Sequence, residues 1–225
     1  MHLPFEQFPA LSAIGICRHV FALRIPRIDV ADEKAEVLRR LDSAHQEIRN
    51  AIGIGEWPLF TAQQVHGNKI AVIDNCSRGT VGREFSGCDG ILTNQRGIAL
   101  GIYVADCCAV YIVDPKTPAI GLAHSGRKGT ELGVVTNAIK EMMNRFGSDP
   151  ADLVVQLSPC IRPPHYEVDF AAEIIRQCRA LGVNEINDSG ICTACDPGRY
   201  YSYRAEKGKT GRMPAVLGLD PTIAN

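Results

Sequence analysis

The chain lacks the net charge that would draw in a charged macromolecule. Its 225 residues carry 24 Lys or Arg against 25 Asp or Glu, a formal charge of −1, so neither nucleic acid nor an anionic membrane surface is attracted by the molecule as a whole. No apolar run approaches the roughly 20 residues of a membrane-spanning helix. The opening MHLPFEQFPALSAIGICRH lacks the basic start and continuous apolar stretch of a secretory signal. A cytoplasmic protein with no membrane and no nucleic-acid partner is expected. Neither GxGxxG nor a Walker pattern occurs, which leaves dinucleotide and nucleoside-triphosphate sites without support. Imidazole is scarce: six histidines and no HxH pair are too few for a blue-copper centre plus a trinuclear copper cluster. CTAC at 192–195 has no second CxxC to complete a four-thiolate zinc site, and it is read as structural. No repeat, low-complexity tract or polar linker divides the sequence, so residues 1–225 are expected to form one domain.

What is present is ordinary globular composition, 45% hydrophobic, with nine cysteines. An odd number spread over a long chain suits buried or ligating thiols in a reducing compartment better than a disulfide framework. Helical spacing of Val37, Leu38, Leu41, Ala44 and Ile48 predicts a helix over about 31–50, ended by Gly53 and Gly55. A second is predicted over about 130–146 on the stripe Leu132, Val135, Ile139, Met142 and Phe146. A third, over about 168–181, carries Ala171, Ile174, Ile175 and Cys178. Strands are predicted at IAVID (70), GIALGIYVAD (97), CAVYIVD (108), AIGLAH (119) and DLVVQLS (152). Their interleaving with helices predicts an α/β fold, a mixed sheet layer covered by helices.

Chemistry concentrates around YVADCCAVYIVD, 103–114, where two apolar strands meet at Asp106-Cys107-Cys108 without a turn-forming Gly or Pro. The turn residues DPKTP at 114–118 predict a hairpin, and the simplest register sets Val113 opposite Ala119 and Cys108 level with His124. A thiolate beside an imidazole begins a zinc or copper site or a Cys-His nucleophile pair. His66, beside Gly67 at a strand entrance, is the third candidate ligand. Two nitrogens and one sulfur would leave a fourth zinc position open, as catalytic sites require.

Two cationic stretches adjoin. In HSGRKGT, Arg127 and Lys128 stand between Gly126 and Gly129 at the start of a helix, where phosphate or carboxylate can be received. In YYSYRAEKGKTGRMP, tyrosines 200, 201 and 203 accompany Arg204 and Arg212, residue types that stack on and hydrogen-bond a ring.

Taken together, QVHG (64–67), CDGILT (88–93), ADCC (105–108), AHSGRKG (123–129), PCIRPPHYEV (159–168) and YSYR with TGR (201–212) resemble, in order, the laccase-domain or YfiH-like family, described both as polyphenol oxidases and as purine nucleoside phosphorylases. The resemblance implies a mixed β-sandwich flanked by helices, similar to certain cysteine-hydrolase toxins. It implies zinc on His66, Cys107 and His124, which selects Cys107 over Cys108. It also implies phosphorolysis of adenosine, inosine, guanosine or methylthioadenosine, or deamination of adenosine. Catalytic roles then fall to Cys107, His124 and Asp106, with Asp89 of the CDG motif a further proton-carrier or orienting candidate. Arg127, Lys128, Arg204 and Arg212 would bind nucleoside and phosphate. The usual HAGWRG is here HSGRKG, with Arg127 for an aromatic and Lys128 for an arginine. The rival readings are a Cys-His hydrolase editing peptidoglycan precursors, a single-copper polyphenol oxidase, and a non-catalytic protein stapled by its metal.

Overall fold

The computed structural model describes residues 4–74 and 83–223. In chain order it contains β1 (Phe5–Glu6), α1 (Pro9–Ile14), β2 (Cys17–Ala22), α2 (Lys34–Ala51), β3 (Leu59–Ala62), β4 (Ile70–Ile73), β5 (Glu84–Phe85), β6 (Gly90–Thr93), β7 (Ala99–Val104), β8 (Cys108–Asp114), β9 (Ala119–Ser125), α3 (Arg127–Glu131), α4 (Val134–Phe146), β10 (Val154–Leu157), α5 (Phe170–Ala180), β11 (Glu185–Asp188) and β12 (Met213–Leu219). Two six-stranded mixed sheets result, ordered β1-β2-β12-β7-β3-β5 and β11-β10-β8-β9-β6-β4. The mixed α/β architecture expected from the sequence is thereby observed. No helix among the described residues is long and apolar enough to cross a membrane.

The period-two rule places β8 at the centre of the layering. Ala109, Tyr111 and Val113 join the apolar cluster shared with β2, β7, β12 and the Val37, Leu41 and Ile48 face of α2. Their neighbours Cys108, Val110 and Ile112 enter a second cluster with Val135, Ile139 and Met142 of α4 and Ile174 and Cys178 of α5. One strand thus faces the other sheet with one set of side chains and the covering helices with the other. Such two-sided burial is why 108–113 reads as an unbroken apolar run.

The sequence expectations are modified at two places. The predicted helix over 130–146 divides into α3 and α4, because Gly133 between them takes a left-handed φ of 73° that a helix interior does not accommodate. The hairpin register is also one residue away from the simplest alignment: Asp114 pairs with Ala119 and Ala109, not Cys108, stands opposite His124. Asp114 causes the shift, its Oδ1 accepting from the amides of Lys116 and Thr117 at 2.9 Å each. It therefore closes the turn as a strand residue, leaving Pro115–Pro118 as the loop.

His19 on β2 is 1% exposed. Its Nε2 accepts from the amide of Phe8 at 2.7 Å, and the Phe8 ring stacks on it at 5.9 Å, which ties the entrance of α1 to the sheet. Burial holds its pKa down to about 4, and burial does the same to His45 of α2. Both groups have folded pKa values below their ordinary 6.5, so the unfolded chain binds protons more readily. The stability from neutral imidazole is complete above pH 6.5 and is lost as pH falls toward 4, with a slope of up to about 1.4 kcal/mol per pH unit and group. Urea unfolding between pH 7 and pH 4.5 should show this decline, and His19→Gln should remove His19's share of the slope. An unchanged slope in the variant would refute the assignment.

Candidate metal and substrate site

Residues Ala105–Cys107 carry the chain from β7 in the first sheet to β8 in the second. The turn that the sequence seemed to lack is made by Asp106, which adopts a left-handed φ of 79°, a conformation that Asp tolerates better than most residues. The crossing is fixed by three bonds. The Asp106 carboxylate accepts from the Thr193 hydroxyl and the Arg204 amide, each at 2.7 Å, and its carbonyl accepts from the Ile161 amide at 2.8 Å. Cys107 then projects into a cleft of about 770 Å³. Cys108 turns the other way into the core, fully buried.

His66 and His124 meet Cys107 in that cleft. The ligating atoms of the three residues all lie within 4.8 Å of one another, with Cys107 Sγ 4.0 Å from His66 Nε2 and the two imidazoles edge to face at 4.9 Å. Their common anchor is Asp89, fully buried just ahead of β6. Because Gly90 pairs with Ala123, Asp89 falls level with His124, and its Oδ1 lies 2.9 Å from His124 Nδ1. The same carboxylate accepts from the amides of Val65, His66 and Gly67 at 3.2, 2.8 and 2.7 Å. This closes a loop in which Gln64 and His66 both take positive φ. Asp89 therefore positions one histidine through its backbone and the other through its ring, leaving His124 Nε2 for the cleft.

Close packing is enforced at Gly126, where a Cβ would lie 2.5 Å from Cys107 Sγ. Burial pushes the Cys107 thiol up, but the charge of His124 and hydrogen bonds from His124 and His66 more than offset it, leaving its pKa at about 6. Burial likewise pulls His124 down, and the Cys107 thiolate and Asp89 raise it to about 9. The protein alone therefore favours a thiolate beside an imidazolium. A cation would replace the shared proton.

Basic and aromatic groups surround the cleft. Arg127 and Arg204 both reach Glu167, at 3.3 and 3.2 Å, and Arg204 lies over the Tyr166 ring at 4.9 Å. Arg212, held by the carbonyls of Thr210 and Gly211, has no carboxylate within ion-pair distance among the described residues. Lys128 is exposed and outside the lining. Of the three tyrosines singled out in the sequence, Tyr200 and Tyr201 are buried and only Tyr203 faces the cleft. Sequence reasoning gave no role to Lys34, Gln64, Tyr103 or Phe170, which also line it. Gln64 opens the QVHG motif, and its side-chain amide exchanges two hydrogen bonds with the Tyr103 backbone, so it behaves like one more strand residue.

The sequence signature of the multi-copper polyphenol oxidoreductase laccase family matches residues 24–175 and 168–220, and the chain belongs to that family. Among its relatives, the purine nucleoside phosphorylase YlmD of Bacillus subtilis (strain 168) is 29% identical over 91% of this chain and 85% of that protein. The purine nucleoside phosphorylase ORF3 of Streptomyces griseus is 31% identical over 85% of each. The crystal structure of YlmD from Geobacillus stearothermophilus superposes with a TM-score of 0.82 at 22% identity, covering 97% of this chain and all of that one. The Bacillus licheniformis hypothetical protein YfiH gives 0.81 at 21%.

The dependence on Asp89 is testable. Asp89→Asn places an NH2 group among donors, and a loss of about 2–4 kcal/mol in unfolding free energy is expected from unpaired buried groups. Zinc affinity, read by competition with a chromophoric chelator, should fall about 10–100-fold. Unaltered zinc affinity in a folded variant would show that Asp89 does not orient the ligands.

Proposed function

We propose that the chain is a zinc-dependent purine nucleoside phosphorylase. The observation that carries this reading is the convergence, in one cleft, of a two-nitrogen, one-sulfur donor set with a cationic and aromatic rim. The donors suit zinc: a depressed thiol, two imidazoles, and a carboxylate behind one of them that fixes its tautomer. Zinc held by His66, Cys107 and His124 supplies a Lewis acid at the cleft floor.

The remaining work belongs to the chain's own side chains. Arg127 and Arg204 share Glu167 at exposed positions, where such pairs contribute little, so a dianionic phosphate can displace that carboxylate and be held by both guanidinium groups. Arg212 supplies a further cation from within the cleft. Tyr166 and Tyr203 offer ring faces for a purine, the first already stacked beneath Arg204. In the reaction, a phosphate oxygen bonds to the ribose anomeric carbon, the glycosidic bond breaks, its electron pair leaves with the base, and the proton carried by phosphate ends on the base. Holding the two reactants together is the main service asked of these residues. Asp106, whose two carboxylate oxygens are engaged by Thr193 and Arg204, is read as a positioning group. Lys128, outside the lining, is given no part.

A second reading has its own support. Cys107 as a thiolate nucleophile, His124 as its imidazolium partner and Asp89 as the orienter of that ring stand in contact, as a metal-free amide hydrolase would need. Purified protein separates the two: metal content is measured, then inosine and adenosine are followed with and without phosphate. Hypoxanthine and ribose 1-phosphate should form from inosine only when phosphate is present. Cys107→Ala should lose zinc and at least 100-fold in rate, whereas Cys108→Ala should keep its zinc. Inosine from adenosine without phosphate would mean deamination. Amide cleavage by metal-free protein, abolished by thiol alkylation, would favour the hydrolase. A zinc-loaded protein inert toward both nucleosides would end the phosphorylase proposal.

A further inference from the structure

Outside the cleft, a second group of soft donors has been assembled from two distant segments. The CTAC sequence forms a one-turn 3-10 helix, Thr193–Cys195, and the loop following Cys160 brings His165 against it. His165 Nδ1 lies 3.7 Å from Cys192 Sγ and 3.4 Å from Cys195 Sγ, and all three donor atoms are within 4.8 Å of one another. Tetrahedral zinc, with Zn–S of about 2.3 Å and Zn–N of about 2.05 Å, sets an S···N separation of about 3.6 Å and an S···S separation of about 3.8 Å. The two observed S···N distances bracket that value. Both cysteines are free thiols, and each of the three residues belongs to a type that ligates zinc.

We propose that His165, Cys192 and Cys195 form a second site for a thiophilic divalent cation, zinc foremost, that staples the 160–167 loop to the CTAC turn. His165 and Cys195 are exposed, so the ion enters from solvent and its fourth corner is left to water. The segments it joins already meet at one bridge, Cys160 with Cys192, where the Cys160 amide donates to the Ile191 carbonyl and the Thr193 amide to the Cys160 carbonyl, each at 3.2 Å. Arg162 adds a bond from its guanidinium to the Ile191 carbonyl at 3.4 Å and an ion pair with Asp188, but among the described residues His165, at the exposed end of the loop, bonds outside the loop only to the two thiols. The loop walls the cleft through Ile161 and Tyr166, and the CTAC turn backs it. Thr193 holds Asp106 beside Cys107, and Tyr166, next to His165, lies under Arg204. A cation here would stiffen the wall without touching the reacting atoms, a positioning role.

The test uses the full chain, reduced, with zinc as the probe. Wild type should bind two equivalents. Cys195→Ser and His165→Asn, both at exposed positions, should each bind one, and Cys107→Ala should also bind one by losing the other site. Cobalt substituted into Cys107→Ala should show thiolate-to-metal charge transfer that disappears in Cys107→Ala/Cys195→Ser. Zinc should raise the Tm of Cys107→Ala by several degrees and leave the double variant unmoved, since a ligand stabilises only what it binds. The proposal is overturned if Cys195→Ser and His165→Asn keep the wild-type stoichiometry. It is equally overturned if Cys107→Ala gains no Tm from zinc, or if Cys192 and Cys195 are alkylated at the same rate with and without zinc.

Discussion

The site depends first on one buried carboxylate. Asp89 accepts from three consecutive backbone amides, those of Val65, His66 and Gly67, and pairs with the ring of His124. A buried, uncompensated charge would cost several kcal/mol, and here four donors compensate it. Burial pushes this carboxyl up, yet the hydrogen bonds from His124, Gly67 and His66 leave it below the usual carboxylate range. The loop at 64–67, strained by two positive φ values, is held in shape by the same bonds. Without Asp89 the two imidazoles would share no common reference.

A second acid performs the matching task for the thiolate. Asp106 sits where the chain leaves one sheet for the other, and its bonds to Thr193, Arg204 and Ile161 bring three later segments to the crossing. The donor set is therefore drawn from a loop after β3, a connector between sheets and a strand, each with a different local geometry. Gly126 completes the arrangement by leaving room for the sulfur. Rigid elements supply the coordinates of the site, and two acids transfer them to side chains on irregular backbone.

What the sequence disclosed follows from how local each feature is. The β8-β9 hairpin was legible because its turn chemistry and both apolar strands lie within 108–125. Its register was not, because the decisive fact was the Asp114 side chain capping the turn. α2 and α5 could be read from their stripes, whereas Gly133, tolerable in a pattern, divides the helix expected between them. β2 and β12 pair as central strands although nearly the whole chain separates them, and no local periodicity records such a partnership. The hairpin turn brought the cysteine pair level with His124, but the choice of Cys107 over Cys108 and the joining of His66 to them came from the family motifs. CTAC lacked a visible third ligand because His165 lies 27 residues before Cys192, at no spacing that marks a metal site.

The family's description invokes several coppers, and the distribution of imidazoles bears directly on it. Among the described residues, His66 and His124 are the two histidines of the cleft. His19 is occupied by the Phe8 amide on β2, His45 is buried on α2 against Tyr103, and His165 faces the CTAC turn. Among the described residues no third or fourth imidazole reaches Cys107, so a multinuclear copper cluster lacks its ligands there. The two-histidine, one-cysteine set does match the equatorial ligands of a mononuclear blue-copper centre, but among the described residues no methionine lines the cleft to serve as the weak axial ligand. The same set, backed by a carboxylate and opening onto arginines and tyrosines, is suited to a single Lewis-acidic ion facing an anionic co-substrate and an aromatic ring. Ligand number and the surrounding charge together favour group transfer over oxidation.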